Sequence, residues 1–194
     1  SPDDPGCTVA VGIDGEVVYA EAFGAARLDP TEPMTTDTIV DIGSTSKQFT
    51  ATAVLLLAQR GEVNLDEPLS AFLPDLAYWD GDPTVRQLMH HTSGIPDYIS
   101  LLADEGVELT GSSTDADALD ALGEVTELDF APGSSWDYSN SNYFLLGQIV
   151  LAVTGLPLDE FLDREVFQPL SLEMVMDPVA ALEGKAVSYE GTGE

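Results

Sequence analysis

Ile42-Gly43-Ser44-Thr45-Ser46-Lys47-Gln48-Phe49-Thr50 is the stretch on which the rest of the chain hangs. An apolar lead-in, Ile39-Val40-Asp41-Ile42, runs into a glycine and then into a helical pattern. Phe49, Ala53, Leu56, Leu57 and Arg60 follow at helical spacing, and Gly61 is a natural stop. This places Ser44 at the N-terminus of a helix and Lys47 one turn along the same face. The pair makes chemical sense. A serine hydroxyl is a poor nucleophile until a neighbouring group takes its proton. A lysine amine can do so where burial and the positive end of a helix favour its neutral form. Main-chain N–H groups of the same turn can stabilise an oxyanion. Taken alone, Ser-x-x-Lys at a helix start equally describes a capping serine beside a solvated lysine.

The chain of 194 residues is long enough to bury a real core, as one large domain or two intimate ones. Its hydrophobic content of 44% is ordinary for a globular protein. Its charge is not: 35 acidic residues face 6 Lys+Arg, a formal net charge of −29. Repulsion at that density destabilises a compact state in dilute buffer. Molar salt shortens the Debye length to roughly 3 Å and removes most of the penalty. The acids are spread along the whole chain, which excludes an acidic tail and predicts a halophilic protein with an acidic surface. Nucleic acid and anionic membranes are poor partners for such a surface. The single cysteine, Cys7, allows no intrachain disulfide and is expected as a small buried apolar residue. No apolar run is long enough for a membrane span. No basic segment precedes an apolar one at the start, so a leader is absent or already removed. The expectation is a soluble protein whose compartment, exported or not, is left open.

Thr8–Ile13, Asp14-Gly15 and Val17–Phe23 read as a β-hairpin, the Asp-Gly pair suiting a tight turn with positive φ. A loop rich in Pro, Thr and Asp is expected to about Asp37, then the lead-in and the Ser44 helix. Asn64, Asp66 and Pro68 suggest a turn and a short helix between Glu62 and Leu73. Pro83–His90 reads as helical with Pro83 and Thr84 near its start, ending in the turn His90-His91-Thr92-Ser93-Gly94. Residues 103–129 are acidic, with weak helical periodicity around Ala118–Val125. Asp115, Asp117 and Asp120 lack the glycine and final glutamate of a calcium loop and read as a solvated face. Pro132–Ser135 is a turn, Tyr138–Asn142 a polar loop, Tyr143–Val153 a helix ended by Gly155, and Leu158–Val166 another helix.

Tyr138-x-Asn140 is the second chemical candidate. Residues two apart in an extended segment point the same way, so a phenol and a carboxamide can face one cleft. A tyrosine near an ammonium can shuttle a proton, and an asparagine amide can hold a carbonyl. Standing alone, the pair would also fit an ordinary aromatic and a capping asparagine.

These words do not stand alone. With Ile42–Thr50 come Gly61-Glu62-Val63-Asn64-Leu65-Asp66-Glu67-Pro68, Leu88-Met89-His90-His91-Thr92-Ser93-Gly94-Ile95-Pro96, Pro132-Gly133-Ser134-Ser135-Trp136-Asp137-Tyr138-Ser139-Asn140 and Gly147-Gln148-Ile149-Val150. In kind and order they resemble the serine β-lactamase-like superfamily, in the branch of class C β-lactamases, related esterases and D-amino-acid-specific peptidases. The likeness covers about residues 5–178. It implies a penicillin-binding-protein-like α+β fold, in which an N-terminal hairpin belongs to an antiparallel sheet beside a mostly helical region. It also implies a serine hydrolase working through an acyl-enzyme on an ester, β-lactam or D-amino-acid peptide bond. Neither metal nor organic cofactor is called for. Ser44 would be the acylated nucleophile, Lys47 its activating partner, Tyr138 the proton shuttle and Asn140 the substrate-positioning group. His90 and His91 fall in a turn that the resemblance marks as structural.

One departure matters. The family's third motif, Lys/His-x-Gly on a strand lining the cleft, supplies the second oxyanion donor. After Asp177 the chain offers only Glu183-Gly184-Lys185 and Gly191-Thr192-Gly193. The expected organisation is therefore residues 1–61 as hairpin and nucleophile helix, 62–170 as the helical region, and 171–194 as a truncated return to an incomplete sheet. The alternative to a hydrolase is a catalytically silent fragment or module that pairs with another chain, a complementary C-terminal chain or a homo-oligomer, to complete its sheet.

Overall fold

A computed structural model of the protein describes residues 3–76, 79, 81–107, 114–176 and 182–189. The chain divides into two units, Ser1–Gly43 with Val179–Glu194, and Ser44–Pro178.

In the first unit, β1 (Cys7–Ile13) and β2 (Glu16–Phe23) pair antiparallel, with Ile13 opposite Glu16. Asp14 at φ 51° and Gly15 at φ 83° make the turn between them, as an Asp-Gly pair permits at little steric cost. The register shifts between Val11 and Gly12, a bulge of the kind that bends a strand. The stretch expected as a loop to Asp37 instead holds a second antiparallel pair, β3 (Ala25–Leu28) and β4 (Thr31–Pro33). Strands of four and three residues are too short to display a period of two, so the sequence carried no sign of them. Ala25 and Ala26 are buried. Main-chain bonds Ala186 N–H to Ile39 O (2.8 Å) and Val187 N–H to Ala26 O (2.9 Å) tie the late segment to this unit. Cys7, expected buried, is exposed. Among the described residues only β2 pairs with β1, and both strands are exposed along nearly their whole length.

The second unit is helical. A 3₁₀ turn, Gly43–Ser46, leads into α1 (Lys47–Gln59). Then come α2 (Val85–Met89), α3 (Tyr98–Asp104), α4 (Asp115–Gly123), α5 (Asn140–Thr154) and α6 (Leu158–Leu162), the last running on into a π-helical turn, Asp163–Phe167. α1 packs on α5. Ala53, Val54 and Leu57 meet Leu145, Leu146, Ile149 and Val150 in one core, which Leu88 of α2 and Phe161 and Leu162 of α6 close. α5 is apolar on most of its circumference, the pattern of a helix surrounded by protein. No helix among the described residues is long and apolar enough by itself to cross a membrane.

Polar side chains set three of the helix starts, the first where the sequence expected it and the other two where it did not. α2 is capped by Thr84, whose hydroxyl accepts from Gln87 N–H while the Gln87 side chain accepts from Thr84 N–H, a capping box. α3, in a stretch where no helix was expected, is capped by Asp97, which accepts from Ile99 N–H at 2.8 Å. α5 begins at Asn140, three residues before the expected Tyr143, because the polar residues of its first turn find partners inside the protein. Ser141 accepts from Tyr98 N–H at 2.8 Å, and Asn142 accepts from the Ser93 hydroxyl at 2.5 Å. Of the acidic run on α4, Asp117 forms a capping box with Thr114 and Asp115 accepts from the Gln148 amide.

Candidate active site

Four side chains from the two central helices and the segment between them converge. Ser44 lies in the 3₁₀ turn and Lys47 opens α1. Three residues apart around a helix start, they face the same side, and Lys47 Nζ donates to Ser44 Oγ at 3.1 Å. Tyr138 comes in along an extended strand-like approach, and Asn140 is the first residue of α5. Ser139 between them has φ −139° and ψ 128°, so both neighbours project to one side. Tyr138 OH stands 2.7 Å from Ser44 Oγ, and either atom can donate. Lys47 Nζ donates to Asn140 Oδ1 at 2.9 Å, and Tyr138 OH is 3.3 Å from the same oxygen. The structure thus brings together all four residues singled out in the sequence.

Electrostatics distinguish this cluster from a chance grouping. Arg27, Arg60, Arg86, Arg164 and Lys185 each lie against a carboxylate. Lys47 is directed at a hydroxyl and a carboxamide and lies over the Tyr138 ring, 5.0 Å from its centroid. A solvated lysine in a chain with 35 acidic residues would have carboxylates to choose from. Partial burial alone would raise the Tyr138 phenol, but hydrogen bonding with the Lys47 ammonium and the Ser44 hydroxyl outweighs it and holds the phenol below its usual range. Ser44 itself is exposed.

Two supports were not foreseen as parts of the site. Asp97 Oδ2 accepts both from Asn140 N–H and from Asn140 Nδ2, each at 2.8 Å. The amide is thereby oriented with Oδ1 toward Lys47. An aspartate just before an apolar run, as in Pro96-Asp97-Tyr98, is a capping signal that could have been read from the sequence. The second support is the turn after α2. Gly94, at φ 79°, lies so close to Phe130 that a Cβ would meet its carbonyl oxygen at 2.1 Å. Main-chain bonds Asp129 N–H to Gly94 O and Gly133 N–H to Thr92 O fasten the approach to Tyr138 onto this turn. His91 sits there with its ring stacked on Tyr138.

Of the third-motif candidates, Lys185 pairs with Asp41 at 3.6 Å. Gly191-Thr192-Gly193 lies outside the described residues. A groove of about 1040 Å³ between the Phe72–Leu76 segment, α3 and α4 contains none of the four site residues. Among the described residues no group of three or more His, Cys, Asp or Glu is arranged to hold a metal ion.

Comparison with known proteins places the cluster in context. The chain is 38% identical over 190 residues to a D-aminopeptidase of Brucella anthropi, an alignment covering 96% of this chain and 36% of that protein. It therefore spans about a third of the length of the curated relatives it matches. The D-amino acid amidase of Ochrobactrum anthropi SV3, solved with L-phenylalanine, superposes with a TM-score of 0.74 at 32% identity, covering 86% of this chain and 45% of that one. An octameric penicillin-binding protein homologue of Pyrococcus abyssi superposes with a TM-score of 0.74 at 30% identity, covering 89% and 40%. The family model named Beta-lactamase matches residues 2–180. On that match, which takes in both central helices and every residue of the cluster, the chain belongs to the β-lactamase family.

Proposed function

We propose that the protein is a serine hydrolase that forms an acyl-enzyme on Ser44. The observation that carries this reading is the closed set of hydrogen bonds joining Ser44 Oγ, Tyr138 OH, Lys47 Nζ and Asn140 Oδ1. In the proposed reaction Ser44 Oγ attacks the substrate carbonyl carbon and gives its proton to the Tyr138 oxygen, 2.7 Å away. The acceptor is the phenolate form of Tyr138, which hydrogen bonding with the Lys47 ammonium and the Ser44 hydroxyl favours. Lys47 stays within reach of Ser44 Oγ throughout and stabilises the phenolate. Asn140, oriented by Asp97, positions the substrate and holds Lys47. The main-chain N–H of Ser44 contributes to the oxyanion site at the helix start. Tyr138 then passes the proton to the leaving group; water, deprotonated by the same oxygen, attacks the acyl carbon, and the bond to Ser44 Oγ breaks as Tyr138 returns the proton to it and the acid leaves. The names of the relatives favour a D-amino-acid amide or peptide bond over an ester or β-lactam. The excess of acids supports work in concentrated salt.

A second reading, a silent module that completes its sheet with another chain or a second copy, is favoured by the exposed apolar residues of the hairpin, Val17 at 69% among them. One experiment separates the two. Incubation with a fluorophosphonate in molar salt, followed by intact mass, should show one adduct on the wild type and none on Ser44→Ala. Lys47→Ala should label more slowly by about 10²–10⁴. A wild type that takes no adduct supports the silent module. An adduct that persists in Ser44→Ala overturns the nucleophile.

A further inference from the structure

We infer that His91 is a positioning residue for Tyr138, a neutral imidazole that clamps the tyrosine from three sides; the inference rests on the hydrolase reading above. Tyr138 is 39% exposed and precedes α5, so burial alone does not fix its main chain. Its two sequence neighbours do. Asp137 N–H donates to the main-chain carbonyl of His91 at 3.0 Å, and Ser139 N–H donates to His91 Nδ1 at 3.3 Å. Between these bonds the Tyr138 ring lies on the imidazole, centroids 4.6 Å apart and planes 32° apart. One residue thus grips the main chain on either side of Tyr138 and supports the ring it carries.

The tautomer follows from the partners. A main-chain N–H can only donate, so Nδ1 must be an acceptor and the ring proton sits on Nε2. Asn142 agrees: its Oδ1 accepts from Ser93, which leaves Nδ2 to face Nδ1 at 3.2 Å. Tyr143 lies 5.2 Å from the imidazole, and Trp136 stands nearly perpendicular to it at 6.4 Å. His91 has φ 56°, a left-handed conformation uncommon for a residue with a side chain. The charged and titratable groups that face it are Lys47 from α1, Asp97 from the start of α3, Tyr138, and Tyr143 on α5. Burial first, and then the Lys47 ammonium, hold the imidazole below its ordinary value. A proton on Nδ1 would set a donor against two donors and a cation toward Lys47. The clamp is closed at neutral pH and opens as pH falls through that lowered value, freeing Tyr138 from Ser44.

The test compares wild type, His91→Asn and His91→Phe. Asparagine can present an oxygen where Nδ1 stands and tolerates left-handed backbone, but does not titrate. Phenylalanine keeps a ring and loses the acceptor. Ser44 labelling by the fluorophosphonate is followed from about pH 5 to about pH 8, the range in which an imidazole titrates. The wild-type profile should carry an inflection below the ordinary imidazole value that is missing from His91→Asn. His91→Phe should label about 10²-fold more slowly, the scale of a misplaced catalytic group. Independently of activity, ¹³C-tyrosine NMR should show the Tyr138 phenol titrating below its usual range in the wild type and moving up in His91→Phe. His91→Phe labelling at the wild-type rate, or the inflection persisting in His91→Asn, would overturn the inference. If wild type takes no adduct, the hydrolase reading fails, and the Tyr138 titration alone decides the clamp. If His91→Phe does not fold, the pH profiles of the other two proteins decide it.

Discussion

The hairpin β1–β2 and the helix pair α1–α5 are both written in apolar residues, and they end in opposite environments. Along the hairpin, Val9, Val11, Ile13, Val17, Val18, Tyr19 and Phe23 are 42–69% exposed. Along the helices, Ala53, Val54, Leu57, Leu145, Leu146, Ile149 and Val150 are at 0%. A two-residue turn suffices to specify strand pairing, whereas stability comes from apolar area removed from water, about 1.5–3 kcal/mol for each large aliphatic side chain. An isolated two-stranded hairpin is marginal in water. The helix pair also sets the chemistry. Lys47 and Asn140 are the first residues of α1 and α5, so the packing of these two helices decides that their polar atoms meet at 2.9 Å.

The sharpest way to break this comparison is to cut both regions. Leu146→Ala should cost about 2–5 kcal/mol, as deletions in a filled core do, and Val17→Ser should stay within about 0.5 kcal/mol. Urea unfolding in molar salt measures both. Equal losses would show that the hairpin face is covered in the folded protein and that the contrast is false.

A smaller effect tests whether the helix ends, as well as the core between them, set the site. Asp97→Ala removes the cap of α3 and should cost about 0.5–2 kcal/mol. It also releases the Asn140 amide, so Ser44 labelling should slow. Asp97→Ser restores one acceptor for Ile99 N–H but cannot hold the two Asn140 donors as well. Its unfolding midpoint should recover while its labelling stays slow. Recovery of both would mean that Asp97 acts through the cap alone.

The smallest effect per residue is spread over both units. Exposed ion pairs such as Arg86 with Asp66 contribute little each, and the net charge of −29 leaves most acids without a cation. The thermal midpoint should rise from near-zero salt toward molar NaCl as the repulsion is screened. A midpoint that stays flat or falls would remove the basis for a saline working environment.

Local chemistry is legible in the sequence. Asp14-Gly15 determined a hairpin turn because few residue pairs accept positive φ twice. The spacing from Phe49 to Arg60 determined a helix, and Ser44 and Lys47 are one turn apart in any such helix. The order of motifs along residues 5–178 pointed to the family. Other features were decided only in three dimensions. β3 and β4 are too short to show a period. Cys7 and the hairpin valines are apolar residues whose burial depends on what lies over them, which strand pattern does not state. The first turn of α5 is polar in sequence yet helical and buried, because Ser93, Tyr98 and Asp97 supply partners from distant positions. His91 read as a turn residue, and its hold on Tyr138 spans a sequence separation that no local spacing encodes. Turn geometry and helix faces are properties of neighbouring residues, so a sequence can determine them; hydrogen-bond partners across the fold exist only once the chain has closed on itself.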